Sequence, residues 1–251
     1  MTVEIWDPHF HIWDVSENTE SGHDPSVLVT PQEDLVYTLK KYEEDMTAVD
    51  FKLSGGAFVE AVSVCHVNID GPQFESACLA ETRWVSSQLD ESTLDYVLVG
   101  SAPLESPRID QILESLKKFP KVYSIRQIIS YEPSWPRNKK RGNFLENPQW
   151  LDGFSQLASH NLAFDLQINP NQFDKAVDLV TKHPEIPIII GHLGSPTLAD
   201  LHEKEEYWEG MRKFASLEHV SIKISMLSYI DPAWDESSLI GETVHQVIEL
   251  F

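Results

Sequence analysis

The 251-residue sequence predicts an α/β chain of the (β/α)8 TIM-barrel class, lacking the eighth strand and helix. Three observations lead there. Short apolar runs rich in β-branched and aromatic residues alternate with longer amphipathic segments, the pattern of parallel strands joined by helices. No Gly-x-Gly-x-x-Gly follows the first run and no Walker loop occurs anywhere, which removes the usual nucleotide-binding open sheets. The first run leads instead into Asp7-Pro8-His9-Phe10-His11-Ile12-Trp13-Asp14, and barrels build their sites at such C-terminal strand ends.

Seven strands are expected, centred on Val3 to Trp6, Gly56 to Glu60, Tyr96 to Val99, Val122 to Ile125, Ala163 to Gln167, Ile186 to Ile190 and Val220 to Ile224. Most are continuously apolar, as when helices cover one face and a barrel interior the other. Helical stripes lie between them: Ile109, Ile112, Leu113, Leu116 and Phe119; Trp150, Leu151, Phe154, Leu157 and Ala158; Phe173, Ala176, Val177 and Val180. Asn147-Pro148, Asn169-Pro170 and Asp231-Pro232 are expected to open helices. Strand centres roughly 36 residues apart put an eighth strand near residue 258. The last stripe, Leu239 to Phe251, ends without a Gly, Asn or Pro stop signal. Residues 1–251 therefore read as one barrel domain that is C-terminally incomplete.

With 19 basic against 40 acidic side chains the formal charge is −21. No basic face can dominate such a chain, which argues against nucleic acid and anionic membrane surfaces as partners. No signal peptide or spanning stretch is visible, and Cys65 and Cys78 read as reduced thiols. A cytoplasmic location is the expectation; the oligomeric state is not encoded in any pattern.

His9 and His11, two apart in an extended segment, project to one side, so both imidazoles can reach one metal ion or one substrate oxygen. His192, in Gly191-His192-Leu193-Gly194-Ser195-Pro196 after the sixth strand, belongs to the same kind of strand end. The trio suits zinc or another divalent ion, or the direct polarisation of a carbonyl; the lesser alternative is that any one ring is a hydrogen-bonded core histidine. His160, His183 and His219 precede strands and read as stability residues; His66 is left open. Glu60, Arg126, Asp165, Gln167 and Lys223 interrupt or end apolar strands, where buried charges need partners. Arg126 suits a carboxylate or lactone oxygen through its guanidinium fork. Asp165 and Lys223 can bind substrate or simply pair with each other. The loop after the fourth strand carries Arg137, Lys139, Lys140 and Arg141. It can draw in an anionic small molecule, although most such runs are only solvated.

DPHFHIWD, SIRQII, AFDLQINPNQF, IIIGHLGSP and HVSIKISML together resemble, in order, the strand motifs of the amidohydrolase-related (amidohydrolase 2) family of metal-dependent hydrolases, most of all its sugar-lactone and pyrone-dicarboxylate lactonase branch. The resemblance implies a lactone hydrolase with His9, His11 and His192 around the reacting carbonyl and Arg126 on the substrate. It also implies a divalent metal in some relatives and none in others. The family's strand-eight Asp, general base or metal ligand, has no counterpart in the sequence. Rival readings are a decarboxylase of the same superfamily and an inactive, truncated barrel.

Overall fold

The structure, a computed structural model, describes residues 3–16, 35–65, 69–134, 141–203 and 205–251, with the side chain at 203 excepted. The chain divides into two compact units, Met1–Arg126 and Gln127–Phe251.

In the first unit, β1 (Val3–Phe10), β4 (Phe51–Val59), β5 (Asp95–Ser101) and the start of β6 (Val122–Ile128) pair in that order, all parallel. A small antiparallel pair joins β2 (Trp13–Asp14) to β3 (Val36–Tyr37). Helices α1 (Leu39–Met46), α2 (Val62–Cys65), α3 (Gly71–Glu91) and α4 (Ile109–Leu116) connect the strands. As expected from its stripe, α4 buries Ile109, Ile112, Leu113 and Leu116. The ladder needs glycine at one crowded point. A Cβ on Gly55, whose φ is +153°, would sit 1.8 Å from the Asp95 carbonyl oxygen.

The 21-residue α3 carries no simple apolar stripe. Its inner face alternates Phe74, Cys78, Val85 and Leu89 with the buried polar residues Glu75, Thr82 and Ser86. Two of these groups have partners: Thr82 Oγ1 donates to the Cys78 carbonyl at 2.9 Å, and Glu75 accepts from Ser106 Oγ at 2.6 Å, while the buried Ser86 Oγ has no hydrogen-bond partner among the described residues.

In the second unit, β7 (Ala163–Gln167), β8 (Ile188–Ile190) and β9 (Val220–Ile222) pair in parallel. Around them run α5 (Pro148–Gln156), α6 (Phe173–Lys182), α7 (Leu198–Glu203), α8 (Glu205–Ala215), α9 (Leu227–Ile230) and α10 (Ser238–Leu250). Asn147 caps α5 by accepting from Gln149 N at 3.0 Å, with Pro148 in the first turn. The core stacks Trp150 on Phe154 at 5.5 Å, with Phe164 edge-on to both. Asp231-Pro232 departs from expectation. Asp231 Oδ1 accepts from Ala233 N at 3.0 Å, closing a local turn, and the next helix starts only at Ser238. All seven expected parallel strands are present among the described residues. No helix there is long and apolar enough to cross a membrane.

Candidate active site

At the end of β1 the chain leaves the ladder. Pairing with β4 shifts register between Ile5 and Trp6, continues to Asp7 and resumes only at Phe10, so Pro8 falls in the second break, where its missing N–H costs no ladder bond. Asp7 shapes the exit. Its carboxylate accepts from His9 N at 2.9 Å and from the Tyr42 hydroxyl at 2.7 Å, while Tyr42 stacks on Phe10 at 4.4 Å. Burial and the facing Asp7 carboxylate push the Tyr42 phenol far up, so it stays a donor.

This exit sets the two histidines against each other, Nε2 to Nε2 at 3.2 Å. His11 Nδ1 lies 2.7 Å from the Val59 carbonyl oxygen. A carbonyl can only accept, so Nδ1 carries the proton and Nε2 of neutral His11 is the acceptor nitrogen. Whether the pair suits a metal can be tested on this geometry. Zinc–nitrogen bonds of about 2.0–2.1 Å at a tetrahedral centre put two ligand nitrogens about 3.3 Å apart. The observed 3.2 Å fits two such ligands, and the Val59 contact fixes His11 as a metal-ligating histidine requires. Among the described residues, no group of three or more His, Cys, Asp or Glu is gathered to hold an ion.

Two further candidates of this unit meet where β4 ends. Glu60 and Arg126 are buried, with Arg126 Nε donating to Glu60 Oε1 at 2.8 Å and Nη2 donating to the Glu60 carbonyl. Beside them sits a residue the motifs do not point to, Glu81 of α3. Its Oε1 accepts from Ala61 N at 2.9 Å. The readable signal for α3 was its start, Asp70 before Gly71-Pro72.

In the second unit Lys223 Nζ donates to Asp165 Oδ1 at 2.8 Å, both side chains buried. The geometry thus gives the pairing that the sequence left as one alternative. His192 follows β8 on a strained turn: His192, Leu193 and Ser195 all have left-handed φ, at 55°, 56° and 52°. Such residues cost about 1–3 kcal/mol each and persist only where the surroundings hold them. Leu193 N donates to the Lys223 carbonyl at 3.1 Å, Tyr207 Oη to the Leu193 carbonyl at 3.0 Å, and Gly194 leaves room for Phe173, which a Cβ would meet at 2.5 Å. The turn points His192 Nδ1 at Ser225 Oγ, 2.8 Å away. His219 Nε2 lies 3.2 Å from the Val180 carbonyl oxygen, 39 positions back in the chain, and His183 Nδ1 makes a local contact with Glu185 at 3.3 Å. His66 and the basic residues Arg137, Lys139 and Lys140 lie outside the described residues.

Comparison with known proteins bears out the resemblance and gives the fold class. The amidohydrolase family model Amidohydro_2 matches residues 129–245. A crystal structure of an amidohydrolase from Burkholderia multivorans with bound zinc is similar at TM-score 0.65 and 16% identity, covering 100% of this chain and 79% of that one. A structure described as a 2-pyrone-4,6-dicarboxylic acid hydrolase, from Acinetobacter baumannii with citric acid bound, gives 0.63 and 16%, covering 100% and 79%. The 2,6-dihydroxybenzoate decarboxylase from Rhizobium gives 0.61 and 13%, covering 99% and 84%. These likenesses speak for the fold: parallel strands with connecting helices, α/β and TIM-barrel-like. Among sequences, protein y4mH of Sinorhizobium fredii is 25% identical over 94% of this chain and 77% of its own length. The L-fucono-1,5-lactonase of Burkholderia ambifaria is 22% identical over 59% of this chain and 48% of that protein.

Proposed function

We propose that the protein is a hydrolase that opens a lactone of a sugar acid or a dicarboxylate. In this reading residues 1–251 act as one barrel-type domain in the cytoplasm, on a small and anionic substrate. His9, His11 and His192 carry the chemistry, and Arg126, Glu60, Asp165 and Lys223 supply the charge that orients the substrate. The observation that carries the reading is the pair of facing Nε2 atoms, 3.2 Å apart, with one ring's tautomer set by Val59. The weaker support is the likeness to proteins described as lactonases and pyrone-dicarboxylate hydrolases.

His9 and His11 are the residues that would hold a divalent ion, and when bound it would supply a Lewis acid for the carbonyl and a more acidic water. The chain's own residues do the rest. Asp7 and Tyr42 hold the exit of β1, so the two rings keep their spacing. With its Nδ1–H donated to the Val59 carbonyl, His11 offers a lone pair at Nε2, and with no ion bound the facing His9 Nε2 is the position from which a proton can be held or given. Glu60 holds Arg126 through Nε and Nη2, and in this reading the guanidinium serves a carboxylate or ring oxygen of the substrate.

The test is acid release from L-fucono-1,5-lactone and 2-pyrone-4,6-dicarboxylate, before and after chelation and readdition of zinc. Turnover that His11→Asn lowers by about 10²-fold or more supports the reading. Release of carbon dioxide from an aromatic acid, with no lactone opened, moves the assignment to the decarboxylase type that the Rhizobium likeness favours. Inertness of the zinc-loaded protein toward both lactones sinks the lactonase reading.

A further inference from the structure

Glu81 lies outside every motif, yet it sits within the most unusual charge arrangement of the first unit. Two carboxyl groups grip the start of α2. Glu81 Oε1 accepts from Ala61 N at 2.9 Å, and Glu60 Oε2 accepts from Ser63 N at 2.9 Å. The same Glu60 holds Arg126 twice, through Oε1 and through its backbone carbonyl. Among the described residues, two backbone amides and one guanidinium therefore serve two acids. The second oxygen of Glu81, Oε2, is buried and has no hydrogen-bond partner.

Two ionised carboxylates beside one guanidinium would leave a buried charge uncompensated, which is among the costliest states available to a protein interior. One proton removes the problem. Glu60 makes the charge-assisted bond to Arg126 and is the carboxylate; Glu81 is the acid. Burial and the neighbouring Glu60 push the Glu81 carboxyl well above its ordinary value of 4.5, against the opposing pull of the amides and Arg126. The thiols around it are neutral too. Burial, with Glu81 and Glu60 nearby, pushes Cys65 up to about 12 and raises Cys78 in the same way.

We propose that Glu81 is a neutral carboxylic acid and the positioning residue of Arg126. By holding the Ala61 amide it fixes the peptide group whose carbonyl is that of Glu60, and Glu60 then aims the guanidinium. Ionisation of Glu81 would turn that brace into a repulsion against Glu60. The inference rests on the proposed function only in giving Arg126 a substrate to orient.

The experiment compares wild type, Glu81→Gln and Glu81→Leu at neutral pH. Infrared spectra are expected to show a protonated-carboxyl C=O band in wild type that Glu81→Gln lacks; its absence from wild type overturns the neutral acid. The Nε–H nuclear magnetic resonance signal of Arg126, assigned through Arg126→Lys, should stay in place in Glu81→Gln and move or broaden in Glu81→Leu. An unmoved signal in folded Glu81→Leu overturns the positioning role. Should Glu81→Leu not fold, Glu81→Gln decides alone: a signal displaced by that neutral isostere overturns the proposal, and one held in place supports it. Neither readout uses turnover. A protein that passes both but opens no lactone refutes the assigned reaction and leaves the role of Glu81 standing.

Discussion

The two units bury their charges in different ways. In the second, one ammonium meets one carboxylate, Lys223 Nζ donating to Asp165 Oδ1 at 2.8 Å, both side chains more than nine-tenths buried. In the first, one guanidinium, that of Arg126, faces two acids, Glu60 and Glu81. A one-to-one pair balances its charge without a proton. A two-to-one cluster balances only by keeping one acid neutral, so its charge state depends on pH. The contrast teaches that buried charged residues of similar appearance in a sequence can differ in kind, according to what the neighbouring helix brings.

The contrast can be broken hardest at the simple pair. Lys223→Met should cost about 3–5 kcal/mol, because it strands a buried carboxylate; the drop in stability would be read by chemical denaturation. Lys223→Met with Asp165→Leu should recover most of that loss, since an apolar replacement of both partners is often neutral. If the double variant is as unstable as the single, the two side chains do more than neutralise each other.

At the cluster, Arg126→Met is expected to raise the proton uptake of the first unit, both acids then lacking their cation. Its stability should fall as pH rises from 5 to 8, a slope visible in denaturation midpoints. Glu81→Gln should have the smallest effect, within about 1 kcal/mol near neutral pH, because the amide copies the protonated acid's acceptor. Its pH dependence carries the information. A carboxyl raised in the folded state binds its proton more tightly there than when unfolded. Its contribution is full below the unfolded value near 4.5 and is lost as pH climbs through the raised value. Glu81→Gln should therefore gain on wild type as pH rises; a constant difference between the two would show that Glu81 does not titrate as argued.

Much of this was readable in the residues. Apolar runs located the seven parallel strands, most of them continuous, because a strand covered on both faces has no polar side to disguise it; β1, with Val3 and Trp6 exposed, is the exception. The His9 and His11 spacing correctly put the two rings side by side. Helix α3 escaped because Glu75, Thr82 and Ser86 face inward among its apolar residues and break the stripe. Glu81 escaped with it. The helix start signal of Asp231-Pro232 misled, since an aspartate that closes its own turn satisfies the same local preference.

The sequence by itself determined which segments become strands, which strand ends carry histidine, and that charged residues interrupt apolar runs. These follow from local patterning and from the rule that apolar surface is removed from water. Only the tertiary structure decided the partners: Lys223 to Asp165 across 58 positions, and Arg126 to Glu60 across 66. It also placed Glu81 against Ala61 and set the tautomer of His11 by a carbonyl 48 residues away. A charge or a proton takes its state from the groups within a few ångströms, and only the folded chain brings those together.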